Sequence, residues 1–154
     1  MLADISPLWI AVLNSIYFTV VMVGVGWIVT HLPESWFEPH HWIFKTWKIE
    51  IGLYEKMFFI RSWKHCLPDG SKMYAGGFSK KKLTRKDAGY IRQFSSETCR
   101  GEFAHWIDLT LLPLVVIWNP SWAIVVMVSL GLLGNIPCIL SQRYNRARIM
   151  RIKV

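Results

Sequence analysis

The sequence predicts an all-α integral membrane protein with about three transmembrane helices and additional interfacial amphipathic helices. The first observation is composition: 53% of the residues are hydrophobic and the mean hydropathy is +0.28, which is high for a soluble protein. The second is charge segregation, because all 18 Lys and Arg residues lie outside residues 1–30 and 101–142. A membrane protein separates its charges in this way, whereas a DNA-binding protein carries a basic stripe. No nucleic-acid partner is therefore expected, although the net charge is +8.

Three apolar stretches are long enough to cross a bilayer. They cover residues 8–30, 101–118 and 122–140, and a tight turn at Asn119 and Pro120 separates the last two. The first stretch has no basic n-region and no A-x-A-type cleavage site, so we expect it to be retained as an anchor. All three stretches are assigned to a single membrane domain.

The segment between the first two spans, residues 31–100, mixes aromatic and charged residues. Trp36, Trp42 and Trp47 are interleaved with lysines and glutamates, which is typical of the headgroup zone, so we expect interfacial helices here. This segment carries 13 basic residues, and the basic tail, residues 141–154, carries five. The positive-inside rule therefore places both in the cytoplasm and the N-terminus outside, with the basic residues contacting anionic membrane lipids.

Three ionisable residues, Glu102, His105 and Asp108, stand at the start of the second span with a spacing of three. That spacing puts their side chains on roughly one face of a helix. Ionisable groups at the edge of a membrane span are costly and indicate a functional site. His105 is the best candidate for a general base, and Glu102 is expected to orient its ring. The alternative is a structural histidine at a helix end.

His65 is a second candidate for the base, with Asp69 four residues later as its partner; the alternative is again a structural histidine. The second and third spans form a hairpin, so the start of one and the end of the other should meet at the cytoplasmic face. The polar residues expected at this meeting point, besides Glu102, His105 and Asp108, are Glu97, Arg100, Asn135, Gln142, Arg143, Asn145, Arg146 and Arg148.

Two other classes of function are compatible with these residues. In a non-catalytic membrane binding or assembly protein, the polar side chains would join helices and anchor lipids. In a metal-dependent membrane lipid enzyme, they would form a carboxylate-rich site, and Glu102-x-x-His105 resembles the ligand motif of di-iron bundles. Those bundles need the motif twice and it occurs once here, so we assign no metal. The ligands under the metal hypothesis would be Glu97, Glu102, His105, His65 and Asp69.

The polar motifs resemble those of the glycosyl diaponeurosporenoate acyltransferase family, which acts last in the synthesis of staphyloxanthin-type carotenoids. The resemblance runs from about residue 30 to the tail, and the first span matches only in hydrophobicity. The most specific block is Gln142-Arg143-Tyr144-Asn145-Arg146 with Arg148. The other matching residues are Ile43-Phe44-Lys45, Arg61, Trp63-Lys64-His65, Asp69-Gly70, Glu97-Thr98, Arg100, Glu102, His105-Trp106, Asn135 and Pro137.

The resemblance implies an integral membrane acyltransferase that esterifies a sugar hydroxyl of a glycosylated carotenoid, or of a related glycolipid, with a fatty acyl chain. Both substrates would be amphiphiles, the acyl donor (such as acyl-CoA) would be a co-substrate, and no cofactor is expected. His105 would deprotonate the hydroxyl, and Arg143 or Asn135 would stabilise the oxyanion. The other matched polar residues are expected to bind substrate: Arg61, Lys64, Asp69, Arg100, Gln142, Asn145 and Arg146.

Overall fold

The computed structural model describes residues 5–68, 70, 78–80 and 83–152, and every regular element in this part of the chain is helical. The prediction of an all-α protein is confirmed. Short 3₁₀ turns cover Glu34–Phe37, Lys64–Cys66 and Leu112–Ile117. The α-helices are α1 (Pro7–His31), α2 (Lys48–Lys56), α3 (Ile60–Trp63), α4 (Ala88–Leu111) and α5 (Ser121–Ile149).

Helices α1 and α5 are long and apolar enough to cross a membrane. In their most apolar windows only 17% and 22% of the residues are buried within the protein. Large apolar side chains such as Trp9, Val20 and Leu133 are instead exposed. The core helix of a soluble protein would bury these residues, so the exposed surface fits association with a membrane.

The second predicted span differs from the structure in its limits. Residues 101–111 form the last part of the longer helix α4, and a 3₁₀ turn follows it. Helix α4 begins at Ala88 because the Asp87 carboxylate accepts a hydrogen bond of 3.0 Å from the backbone N–H of Tyr90. Pro113 lies in the first turn after α4 and has no N–H to continue the α-helical ladder. That this segment crosses a membrane stays a prediction.

Helix α4 contacts both α1 and α5 and runs antiparallel to each of them. At one end, Asn14 Nδ2 of α1 donates a hydrogen bond of 2.8 Å to Asn119 Oδ1, in the α4–α5 connection. At the other end, Arg100 of α4 donates a hydrogen bond of 2.6 Å to the Val29 carbonyl near the end of α1. The start of α1 and the α4–α5 connection therefore lie at the same end of the bundle.

Helix α5 extends beyond the predicted third span. It continues through the first part of the basic tail to Ile149. Its last turns bury Tyr144 in an apolar cluster with Tyr54 of α2 and Ile60 of α3. This packing extends the helix, because a buried apolar side chain stabilises an ordered backbone more than local propensity does.

The segment between α1 and α4 exposes large apolar side chains. Trp42 is 85% exposed, Ile49 of α2 is 78% exposed and Phe59 is 68% exposed. A helix that lies in the headgroup zone presents such a face to lipid. The interfacial location of α2 stays a prediction.

Candidate active site

His105 of α4 faces Asn135 of α5. The Nδ1 atom of His105 lies 2.8 Å from Asn135 Oδ1. Asn135 Nδ2 donates a hydrogen bond of 2.9 Å to the Gly131 carbonyl, which orients the amide with its oxygen towards the ring. Because an amide oxygen only accepts, Nδ1 carries the proton and Nε2 keeps its lone pair. No described residue hydrogen-bonds to Nε2, so this nitrogen is available as a base.

Asp108 lies one turn further along α4, beside the same imidazole. Its Oδ2 is 3.9 Å from His105 Nδ1, and its side chain is 12% exposed. Within the described part of the chain its Oδ1 has no hydrogen-bond partner, although it is buried. A carboxylate at this distance stabilises the positive charge that His105 acquires when it accepts a proton.

Glu102 does not make the expected contact with His105. Its side chain is fully buried, and Oε1 accepts a hydrogen bond of 2.9 Å from Arg143 Nη1. Its Oε2 accepts a hydrogen bond from the buried Arg146. The carboxylate is thus occupied by two guanidinium groups, and Asn135 takes the orienting position that the sequence suggested for Glu102.

Arg143 and Arg146, the two arginines that bind Glu102, also donate hydrogen bonds to other residues. Arg143 also donates from Nη2 to Glu50 Oε1 at 3.1 Å and to the Lys45 carbonyl at 3.0 Å. Arg146 donates from Nε to the Phe44 carbonyl at 2.9 Å. These contacts tie α4 and α5 to the segment that precedes α2. Arg146, one of the residues expected to bind substrate, has a fully buried side chain.

Arg100 contacts backbone carbonyls rather than an open site. Its Nη1 donates hydrogen bonds to the carbonyls of Val29, Thr30 and Leu32. Its guanidinium lies 4.6 Å from the ring centroid of Phe37. These carbonyls are at the C-terminus of α1, where a positive charge is stabilising.

Three predicted binding residues lie together at the far end of α5. Lys64 Nζ donates a hydrogen bond of 2.6 Å to Asn145 Oδ1. Arg61 Nε donates a hydrogen bond of 3.1 Å to the Tyr144 hydroxyl. Burial lowers the pKa of Lys64, and the nearby positive charges of Arg148 and Arg61 lower that pKa further.

Gln142 lies on α5 between these two regions. Its amide packs against Gly101 of α4, where an added Cβ would approach Gln142 Nε2 to 3.1 Å. Its Oε1 is buried and has no hydrogen-bond partner among the described residues. Lys80 also approaches this contact, with its Nζ 4.0 Å from Glu97 Oε2. The position of Lys80 beside α4 could not be anticipated from spacing along the chain, since only the fold brings the two together.

The structure does not bring His65 to His105. His65 is exposed in a 3₁₀ turn and makes no contact that would orient its ring among the described residues. Its predicted partner, Asp69, lies outside the described residues. Within the described ranges, no group of three or more His, Cys, Asp or Glu side chains lies close enough together to hold a metal ion. Glu97, one of the ligands under the metal hypothesis, forms an ion pair: its Oε1 lies 3.2 Å from Arg100 Nε.

Comparison with known proteins identifies the family. The family model described as glycosyl-4,4'-diaponeurosporenoate acyltransferase matches residues 33–153. The chain belongs to this family. The resemblance inferred from the motifs is therefore confirmed, and so is the assignment to the acyltransferases.

Two relatives bear the same family name. The glycosyl-4,4'-diaponeurosporenoate acyltransferase of Staphylococcus aureus strain MRSA252 is 31% identical over 142 residues, which are 90% of this chain and 84% of the relative. The protein of strain bovine RF122 / ET3-1 is 30% identical with the same coverage. No solved structure matches the chain. The range that the glycosyl-4,4'-diaponeurosporenoate acyltransferase model covers contains the positions of His105 and Asn135.

Proposed function

We propose that this protein transfers a fatty acyl chain from an activated donor to a sugar hydroxyl of a glycosylated carotenoid or related glycolipid at the cytoplasmic membrane interface. One observation carries the proposal: residues 33–153 match a family named for acyl transfer to a glycosyl carotenoid acid. That name supports the choice of acceptor, and the apolar surface of α1 and α5 supports a reaction at the membrane.

In the proposed mechanism His105 is the general base. Its Nε2 takes the proton of the sugar hydroxyl as the hydroxyl oxygen attacks the carbonyl carbon of the acyl donor. The tetrahedral intermediate then collapses, the bond from the acyl carbon to the leaving group breaks, and the proton on Nε2 passes to the leaving group. With an acyl thioester as donor, the products are the ester and a free thiol, so no oxidant or reductant is needed.

The neighbours of His105 have separate parts in this mechanism. Asn135 is a positioning residue, because its oxygen keeps the proton of the resting imidazole on Nδ1. Asp108 stabilises the imidazolium that forms during transfer. For the oxyanion the candidates are Arg143, which also binds Glu50 and Glu102, and Lys80, whose Nζ also lies 4.0 Å from Glu97 Oε2. Lys80 Nζ approaches Gly101, which lies one helical turn before His105.

The architecture suits two amphiphilic substrates. We propose three passes through the membrane, formed by α1, by α4 with the 3₁₀ turn that follows it, and by α5, with the N-terminus outside. The end of the bundle that holds Arg100, Arg143 and Arg146 is then cytoplasmic. The apolar tails of both substrates would stay in lipid while the hydroxyl and the activated carbonyl meet beside His105. Two partners oriented in one plane lose less entropy on reaction than two free solutes.

The test is a transfer assay with membranes that contain the protein. Labelled acyl-CoA and a glycosylated carotenoid acid are added, and the product is identified by mass. The proposal predicts an ester whose mass equals that of the acceptor plus one acyl group less water. If the label stays in the donor for every glycosylated acceptor and acyl donor offered, while the protein is folded in the membrane, the proposal is wrong.

A further inference from the structure

A group of three cations surrounds Tyr144, at the end of α5 that lies away from Asn135. Lys64 Nζ is 5.1 Å from the centroid of the Tyr144 ring, and Arg148 Cζ is 5.5 Å from it. Arg61 Nε is 3.1 Å from the Tyr144 hydroxyl. We call these four residues the Tyr144 cluster. Two parts of the sequence supply its charges, because Arg61 and Lys64 lie in and directly after α3 and Arg148 lies in α5.

The described contacts give the Tyr144 cluster more positive than negative charge. Glu55 is the carboxylate that they place here: it lies 2.7 Å from Arg61 Nη2 and accepts a hydrogen bond of 2.7 Å from the Tyr144 hydroxyl. Lys64 donates one hydrogen bond, to Asn145, and Arg148 donates none to the described residues. Clustered cations repel one another, and an anion that accepts their hydrogen bonds would offset that cost.

One face of α5 connects the Tyr144 cluster with His105. Asn135, Gln142 and Asn145 are spaced seven and three residues apart, so their side chains lie on the same face of the helix. Asn135 contacts His105, and Asn145 contacts Lys64. The two ends of this face are ten residues apart, which corresponds to about 15 Å along the helix axis.

Gln142 lies between those ends and has a side-chain acceptor that no described residue uses. Its Oε1 is buried and has no partner among the described residues. A buried acceptor without a donor costs free energy, and a ligand amide N–H could supply the missing bond after a small side-chain shift. A phosphopantetheine arm has the matching order of groups. It carries a thioester at one end, amides in the middle and a phosphate at the other end, and its extended length is comparable with the spacing along α5.

We propose that the Tyr144 cluster binds the phosphate of a phosphopantetheine-linked acyl donor, whose arm lies along α5 and presents the thioester to His105. This inference rests on the proposed function, since it names the donor of that reaction. Lys64 and Arg148 would contact the phosphate, and Arg61 would set the position of Tyr144 and Glu55 beside it.

Calorimetric titration of the purified full-length protein with coenzyme A tests the site, using nanodiscs of neutral lipid. We expect the double variant Lys64→Gln with Arg148→Gln to bind coenzyme A at least about tenfold more weakly than the unaltered chain. Lys64→Arg keeps the charge and should keep most of the affinity. Arg92→Gln is the matched control, because it removes an exposed cation of α4 outside the cluster. Pantetheine, which has no phosphate, should not distinguish the double variant from the unaltered chain.

Two results would overturn the inference. One is an equal affinity for coenzyme A in the unaltered chain and in a folded double variant. The other is a preference for lipid: phosphatidylglycerol in the nanodiscs would displace coenzyme A, and the double variant would lose binding of this lipid to the same extent. In that case the Tyr144 cluster holds a lipid headgroup and not the donor.

Kinetic measurements separate this inference from the proposed function. The double variant should raise KM for acyl-CoA and leave kcat nearly unchanged, because the phosphate is remote from the reacting carbon. If the unaltered chain transfers acyl groups only from a donor without phosphopantetheine, the proposed function stands and the donor site is wrong. If coenzyme A binds as predicted but no acyl donor is ever used, the donor site stands and the proposed reaction is wrong.

Discussion

Asn135 Oδ1 lies 2.8 Å from His105 Nδ1, which joins α5 to α4 through the imidazole of the candidate base. The second bond of the Asn135 amide, to the Gly131 carbonyl, holds it in this orientation. The pair therefore combines a base with a group that fixes its tautomer, and the two residues come from different helices.

Removal of the amide should affect turnover and not substrate binding. In Asn135→Ala we expect kcat to fall by about 10- to 100-fold, because the imidazole loses its tautomer and orientation. Asn135→Asp keeps an acceptor oxygen and should recover part of the loss. Steady-state kinetics with both substrates give the comparison, and Ser129→Ala, at an exposed position of α5, is the control. A change in KM alone would contradict a positioning role.

Glu102 should matter for folding rather than for proton transfer. Both Glu102 and Arg146 are fully buried, so Glu102→Ala would leave buried guanidinium charges without their carboxylate. We expect the free energy of unfolding to fall by about 3–5 kcal/mol. Thermal unfolding in detergent measures the effect, with Glu34→Gln as an exposed control. If Glu102→Ala unfolded like the unaltered chain but had lost transfer activity, the structural role would be refuted.

The lowered pKa of Lys64 predicts a pH dependence of stability. Arg61, Arg148, Tyr144 and Asn145 lie near its ammonium group, and burial is the largest cause of the shift. Between the lowered pKa of the folded protein and the ordinary value of 10.5, the unfolded chain binds more protons at this residue.

The free energy of unfolding should therefore gain a positive contribution from Lys64 as the pH rises through this interval. Lys64→Met should remove that contribution. Unfolding measured at several pH values up to about 10 gives the two slopes. Equal slopes in both proteins would show that the Lys64 ammonium is not destabilised in the folded state.

Cys66 offers a direct test of the proposed topology. It is exposed in the segment between α1 and α4, whereas Cys99 is buried. A membrane-impermeant maleimide should leave Cys66 unlabelled in intact cells and label it after permeabilisation. Ser121→Cys in a Cys66→Ala chain should behave in the opposite way, because the start of α5 is expected outside. Labelling of Cys66 in intact cells would reverse the orientation of the bundle.

Hydropathy predicted those features of the fold that depend on residues adjacent in the sequence. The spans at α1 and α5 were anticipated because a continuous apolar run is a local property of the sequence. The continuity of α4 from Ala88 to Leu111 was not, because its middle turns contain charged residues that bind distant partners. Arg100 binds α1 carbonyls, and Glu102 binds Arg143 and Arg146 of α5.

The same distinction applies to the site. The spacing of three residues predicted that Glu102, His105 and Asp108 share one face of a helix. It could not predict which residues each of them contacts. The hydrogen bond of His105 crosses to Asn135, 30 residues away, and the carboxylate of Glu102 turns to arginines more than 40 residues away. Only the packing of α4 on α5 determines these partners.

His105 is proposed as the base of acyl transfer, so the acyl-transfer rate of the His105→Ala variant is the decisive measurement. The variant should be compared with the unaltered chain and with His40→Ala, which removes an exposed histidine from the connection after α1. All three proteins should insert into membranes and unfold alike. We expect ester formation, followed by mass, to fall by about 100- to 10,000-fold in His105→Ala only. If His105→Ala formed the ester at the rate of the unaltered chain, His105 would not be the base.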